Sequence, residues 1–455
     1  MLILSSFFIF VWLLKRKKST YIVYSLIVLN IVVATQSIVK SISSDKFFSS
    51  KNQVERVIEG ELIINFSKTK KNIILLMPDM FQGLAMETII EDNPNIVNEY
   101  TGFKWYRNTL SVSRVTNSTM PALIGGFDFV PNVLDKDTVH TIRQKMTTAM
   151  KSLIDKAHNN GFAVTMNKFP YTNIEEIGYD ILLPRWNKEW DSYNYELGIN
   201  SVKSDNSELI IETALLYCVP LVLKSLVYNE GSWLKSYFVK QEMHENSWMA
   251  NSYNFLRLLP HISTTQNDQA NLILLYSFNT HFPWNYVDNT GELHTNVSPL
   301  TTNRWTIETF AHWVKWMKKN GVYDNTKIII VSDHGVPWHR YDGEIEVNFP
   351  FINTNEEKVS QEHLLSLNPL LLVKDFNEKG DMLIDNRFMS NADVNSIMFD
   401  EINPTNDSIV SRTLPAFIAW WAESIDKSKK FSYSYWYKVK DNVFDADNWT
   451  RLDKE

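Results

Sequence analysis

One cysteine, Cys218, stands among 455 residues. No intrachain disulfide can form, and no cysteine cluster can hold a metal. If the chain works outside the cell, its fold must stand on its core alone. Cys218 lies in an apolar run, where a thiol reads as a small buried hydrophobe. Positive charge is also scarce. Lys and Arg number 45 against 52 Asp and Glu, and the formal net charge is -7. With no basic stripe after the N-terminal region, nucleic acid is not the expected partner. Internal repeats and low-complexity tracts are missing as well. What is present in quantity is hydrophobic mass: 44% of residues, with 15 Trp and 25 Phe, which excludes a disordered chain. The length allows one large domain or two ordinary ones.

The first 42 residues differ from the rest. Residues 1–14 are apolar, Lys15-Arg16-Lys17-Lys18 form a basic cluster, and residues 20–42 are apolar again. A spanning helix needs about 20 apolar residues, which the second stretch supplies. A secretory signal would carry its basic residues ahead of the apolar run rather than behind it. The expectation is a membrane anchor of two transmembrane helices over 1–42. The basic loop between them stays cytoplasmic, so everything beyond it faces the extracytoplasmic side of the cell membrane.

Residues 43–71 are mostly polar and read as a juxtamembrane linker. The catalytic domain is expected over 72–455. It opens on Asn72–Met77, a nearly continuous apolar run of the kind found in strands buried on both faces. Phe162–Met166, Leu272–Ser277, Ile328–Ser332 and Pro369–Lys374 repeat the pattern. Helical patterns separate them: 138–160, ending in Asn159-Asn160-Gly161, and 301–319, which sets Phe310, Trp313, Val314 and Met317 on one face. Strands alternating with helices predict an α/β fold with a mostly parallel central sheet sandwiched by helices. Residues 209–227 are nearly membrane-like but are broken by Glu212, Pro220 and Lys224. They read either as a buried hairpin of two short helices or as an amphipathic element resting on the bilayer.

Polar clusters follow three of the strands, at the carboxyl ends where open α/β sheets place their sites. Asp79 follows the first, His281 the third, and Asp333-His334-Gly335 the fourth. Singly, an Asp after a strand is commonly a helix cap and a lone His a satisfied core residue. Asp-His-Gly directly after Ile-Ile-Ile-Val-Ser is the stronger signal, since it offers a hard oxygen and an imidazole from adjacent positions. A fourth cluster, Thr116-Asn117-Ser118-Thr119-Met120-Pro121, reads by itself as a hydroxyl-rich helix start.

Taken in order, Asp79, Thr116, His281 and Asp333-His334 make the chain resemble the sulfatase-like branch of the alkaline phosphatase superfamily. Lipoteichoic acid synthases and phosphoethanolamine transferases are nearest. The resemblance runs from roughly residue 72 to 400 and takes in Asn391-Ala392-Asp393. It implies that Asp79, Thr116, Asp333 and His334 hold one divalent metal ion, that Thr116 is the nucleophile, and that His281 binds the substrate phosphate. It also puts Thr119 at a helix start, as a cap. Trp284, Trp338, His339 and Arg340 become candidate substrate contacts; an Arg there suits a bidentate hold on phosphate. A threonine hydroxyl is a poor nucleophile unless a dication favours its alkoxide. Two carboxylates, an imidazole and that oxygen suit Zn²⁺ or Mn²⁺.

Some departures narrow the reading. Sulfatases proper use a Cys or Ser converted to formylglycine, and Thr116 cannot undergo that conversion. Paired aspartates are missing around Asp79, which favours one metal over two. Phosphoethanolamine transferases carry disulfides that a single Cys cannot form. In the synthases the first carboxylate is Glu, whereas here it is the shorter Asp79. The expected activity is transfer of a phosphoglycerol- or phosphoethanolamine-type headgroup from a membrane phospholipid donor to a surface glycan, glycolipid or polymer. The alternatives are a hydrolase of phosphate or sulfate esters and a catalytically inactive scaffold for envelope assembly.

Overall fold

Why do five short apolar segments become the centre of this molecule? Each presents hydrophobic side chains to both faces at the two-residue period of a strand, so both faces must be covered. The computed structural model describes residues 63–183, 255–288, 293–336, 352–353, 355–401, 411–422 and 424–454, together with Leu216 and Lys224. Apart from those two residues, all belong to one unit, Val57–Ser201 with Asn246–Glu455. Its eight-stranded sheet is built from β1 (Asn72–Pro78), β2 (Phe103–Tyr106), β3 (Phe162–Met166), β4 (Ile181–Leu182), β5 (Ala270–Ser277), β6 (Thr326–Val331), β7 (Leu371–Lys374) and β8 (Leu383–Asp385). The spatial order is β8-β2-β7-β6-β1-β5-β3-β4.

Seven strands point one way, and only β7 opposes them, pairing antiparallel with both β6 and β2. The sheet is mostly parallel, as expected, and the one antiparallel strand lies in the run Pro369–Lys374. Four to six buried apolar residues cannot by themselves encode direction. On the central strands the faces divide cleanly. Ile74, Leu76, Ile273, Leu275, Ile328 and Ile330 enter one core with Phe310, Trp313 and Met317. Ile73, Leu75, Leu272, Leu274, Ile329 and Val331 enter the other with Met146, Met150 and Leu153.

Two of the helices answer the expected patterns at 138–160 and 301–319, and Ala85–Asp92 was not anticipated. Helix α1 spans Ala85–Asp92, α2 Thr116–Gly125, α3 Ile142–Asn159 and α4 Pro299–Asn320. Helix α3 starts four residues later than its polar periodicity suggests, because Thr141 and Gln144 close a capping box. Ser298 caps α4 ahead of Pro299, and Gly321 ends it in a left-handed conformation at φ 72°. Phe310, Trp313, Val314 and Met317 are all fully buried.

Residues 63–71 are not a linker. Ile64–Asn65 pairs with Ser263–Thr264, and Ile64 and Phe66 are fully buried, so packing begins ahead of Asn72. Ile64 closes the apolar triplet Leu62-Ile63-Ile64, too short to stand out as a strand in an otherwise mostly polar stretch. At the other end a three-stranded antiparallel sheet follows: β9 (Thr413–Trp420), β10 (Ser432–Lys440) and β11 (Trp449–Asp453). Strand β9 is tied to the segment before α2. Phe417 N donates to Val112 O at 2.7 Å, and Ser113 Oγ donates to Phe417 O at 3.1 Å.

Among the described residues no helix is long and apolar enough to cross a membrane. The two apolar stretches of residues 1–42 lie outside the described residues, as does most of 209–227.

Candidate metal centre

Strands β1 and β6 are parallel neighbours, so the residues following each emerge side by side at one sheet edge. Asp79 follows β1, and Asp333-His334 follows β6. Both carboxylates are buried, at 2% and 0% exposure, and the imidazole is at 5%. One ligand atom from each lies within 4.8 Å of the others. His334 Nε2 is 3.5 Å from Asp333 Oδ2 and 4.0 Å from Asp79 Oδ1. Thr116, the first residue of α2 and 1% exposed, places Oγ1 3.5 Å from the same Nε2. Tetrahedral ligands with bonds of about 2.1 Å stand roughly 3.4 Å apart, so this spacing suits one ion.

Hydrogen bonding sorts the atoms of each side chain into one that is held and one that is left. Asp333 Oδ1 accepts from Met80 N at 3.1 Å and His334 N at 2.9 Å. Asp79 Oδ2 accepts from the phenol of Tyr276. The opposite oxygens, Asp79 Oδ1 and Asp333 Oδ2, are buried and have no hydrogen-bond partner among the described residues. Two orphaned carboxylate oxygens cost several kcal/mol unless a cation or protons compensate. His334 Nδ1 lies 2.8 Å from Gly335 O; a carbonyl only accepts, so the proton is on Nδ1 and the lone pair on Nε2 faces the cluster. The donor set therefore fits a divalent ion held by Asp79, Asp333 and His334, with Thr116 beside it.

Electrostatics agree. Burial, and then the charge of Asp333, push the Asp79 carboxyl well above the usual carboxylate range. Met80, next to Asp79, sits at φ 62°, a left-handed conformation that costs a non-glycine residue about 1 kcal/mol or more. That geometry accompanies the hydrogen bond from its N–H to Asp333. Gly335 works by close approach rather than by turning: a Cβ there would lie 2.2 Å from Leu365 O and 2.4 Å from Gln82 Oε1.

Above the cluster lies a cavity of about 410 Å³, lined by Met80, Val115, His281, Trp284 and His334 among others. His281 stands half-buried on its wall, and burial lowers its pKa. Its Nδ1 pairs with Phe282 O, which sets the Nε2 lone pair. Trp284 is 8% exposed and donates its indole N–H to Thr280 O at 3.1 Å. Trp338, His339 and Arg340 lie outside the described residues. Thr119 is not the helix cap. Val115 occupies that position, and Thr119 Oγ1 donates to Ser113 O at 2.9 Å from within the first turn.

Sequence reasoning missed Tyr276 and, though it took in Asn391, gave that residue no role. Tyr276 pairs in register with Met77, two positions before Asp79, so a phenol one residue from the end of β5 was the available signal. Asn391 is fully buried and donates to Asp333 O at 2.6 Å. Arg114, Glu362, Trp420 and Trp421 line the cavity without any local motif.

No family model and no curated protein matches this chain. By structure it is similar to members of the alkaline phosphatase superfamily. One such protein from Vibrio parahaemolyticus is 12% identical, with 86% of this chain and 84% of that one covered at a TM-score of 0.44. A lipoteichoic acid synthase from Listeria monocytogenes is 13% identical, covering 89% and 91% at 0.41. A sulfatase from a Pseudoalteromonas species is 14% identical, covering 85% and 82% at 0.41.

Proposed function

We propose that this chain is a membrane-anchored phosphotransferase that moves a phospholipid headgroup onto a surface glycan, glycolipid or polymer through a phosphothreonine at Thr116. The observation that carries the proposal is the pair of buried oxygens, Asp79 Oδ1 and Asp333 Oδ2, without a hydrogen-bond partner among the described residues and near His334 Nε2, with the Thr116 hydroxyl 3.5 Å from that nitrogen. A divalent ion, Zn²⁺ or Mn²⁺ by donor type, would be held there by Asp79, Asp333, His334 and Thr116. Its contribution is to neutralise charge on the hydroxyl and on a phosphate oxygen.

The chain's own residues do the rest. Thr116 Oγ1 attacks phosphorus; the Oγ1–P bond forms and the ester bond to the diacylglycerol oxygen breaks. A proton leaves Thr116 and arrives on the departing alcohol, with His281 on the cavity wall as carrier. In the second half an acceptor hydroxyl attacks phosphorus, the Oγ1–P bond breaks, and the proton returns. The N-terminus of α2, at which Thr116 stands, favours the anionic oxygens of both steps.

The test is peptide mass spectrometry of the full chain incubated with vesicles of phosphatidylglycerol or phosphatidylethanolamine. A headgroup adduct is expected on Thr116, with turnover abolished in Thr116→Ala. An adduct on Thr119, or near wild-type turnover in that variant, removes the assignment. Release of free headgroup phosphate with no acceptor modified identifies a hydrolase instead.

A further inference from the structure

The cavity above the cluster has a second character that phosphate chemistry does not use. Its rim is aromatic. Phe282 and Trp284 meet edge-on at 5.3 Å on the loop after β5. The same cavity is also lined by Trp420, which ends β9, and Trp421 after it. Tyr171 braces Trp421 edge-on at 5.6 Å. Phe282, Trp420 and Trp421 are 50%, 43% and 48% exposed, among the few large hydrophobic side chains left open to solvent among the described residues.

We infer that Trp420 and Trp421, with Phe282 in the same cavity, form a platform for a sugar ring, so that the group beside the phosphate is a carbohydrate. Rings of this kind bury a saccharide's axial C–H face while hydroxyls at its edge stay hydrogen-bonded. The choice of sugar over acyl chain rests on what shares the wall. Arg114 Nη1 lies 3.8 Å from Glu362 Oε1, with side chains 21% and 49% exposed. Arg114 Nε donates to Ala419 O at 3.2 Å, which fixes the guanidinium beside the two tryptophans. An acyl chain would strip water from this loose ion pair without replacing it. Vicinal hydroxyls can bond to both charges.

This deepens the glycan-acceptor reading and rests on it for its biological sense, but binding to the platform can be measured without turnover. The probes are neutral trisaccharides of glucose and of N-acetylglucosamine, with dodecyl phosphocholine below its micelle concentration as the apolar competitor. Saturation-transfer NMR on the full chain should show at least one trisaccharide bound through its ring C–H protons. Trp420→Ala/Trp421→Ala should weaken that binding at least about tenfold, while one equivalent of Mn²⁺ still binds, reporting an intact fold. On the wild-type chain, the sugar should also protect Trp420 and Trp421 from oxidation by N-bromosuccinimide, read by peptide mapping.

No trisaccharide binding, or binding indifferent to both tryptophans with no protection, overturns the platform. Tryptophan-dependent binding of the dodecyl chain alone overturns it in favour of a lipid. If Thr116 is never modified yet the sugar binds as expected, the phosphotransfer reading fails and the platform stands.

Discussion

Tyr276→Phe removes one oxygen atom and leaves the ring. The ring is fully enclosed, 4.7 Å from Phe278 and 5.7 Å from Phe169, so packing should be preserved. What is lost is the hydrogen bond from the phenol to Asp79 Oδ2, which turns Oδ1 toward His334 and Asp333. A hydrogen bond to a charged group is worth about 1.5 to 3 kcal/mol. At about 1.4 kcal/mol per decade this corresponds to roughly 10- to 100-fold in ion affinity, the range of outer-shell changes around metals. The assay is competition for Mn²⁺ or Zn²⁺ against a chromophoric chelator, with a thermal melt of the ion-free protein as control. Tyr276 acts only through Asp79, so excess ion should restore turnover in the variant. An affinity within about twofold of wild type, in a protein that melts normally, would falsify the claim that Tyr276 orients a ligand.

Other perturbations reach the same site and the core by different routes. Asp333→Asn keeps an oxygen for the N–H groups of Met80 and His334 but removes the charge; ion content by mass spectrometry should fall further than for Tyr276→Phe. Ion binding should weaken on acidification, because folded Asp79 holds its proton well above the ordinary carboxylate range, and calorimetry in two buffers should detect the proton released. For the ion-free protein the sign reverses. The unfolded carboxyl ionises near 4 while the folded one stays protonated, so stability falls as pH rises through that window. Lys374 is fully buried against Tyr323 O and Thr326 O, and burial pushes its pKa down to about 8. Between about pH 8 and its ordinary value near 10.4, the unfolded chain binds the extra proton and stability rises with pH. Lys374→Met should flatten that slope in denaturant titrations, a difference on the order of 3 kcal/mol across the window; an unchanged slope would refute it.

The fold was legible wherever burial leaves a mark on composition. Both-face burial makes Ile73–Leu76 and Ile328–Ile330 continuous apolar runs, and α4 shows its inner face as Phe310, Trp313, Val314 and Met317. Strand direction and edge strands leave no such mark. Strand β7 looks like its parallel neighbours and runs against them. Strand β8 is missed because Leu383 and Ile384, 55% and 49% exposed at the sheet's rim, belong to a run of only three apolar residues, Met382–Ile384. Ile64 and Phe66 are fully buried but lie in a short segment of a mostly polar stretch, so they too were passed over.

The site divides along the same line. Asp79, Asp333 and His334 could be found because a parallel sheet delivers the residues after adjacent strands to one edge, and β1 and β6 are adjacent. Thr116 could be found only through a motif, since nothing in a hydroxyl-rich helix start says which hydroxyl turns inward. Geometry supplies the reason. Thr116 is the first residue of α2 and sets its oxygen 3.5 Å from His334 Nε2, whereas Ser118 and Thr119 turn theirs back to Ser113. Three hydroxyls within four residues thus do two jobs: two secure the turn before the helix, and one is left facing the cluster. Trp420 and Trp421, in the aromatic rim, had no motif at all. Trp420 and Trp421 reach the cavity through the pairing of Phe417 with Val112 and Ser113, some 300 residues apart in sequence, a contact only the folded chain can make.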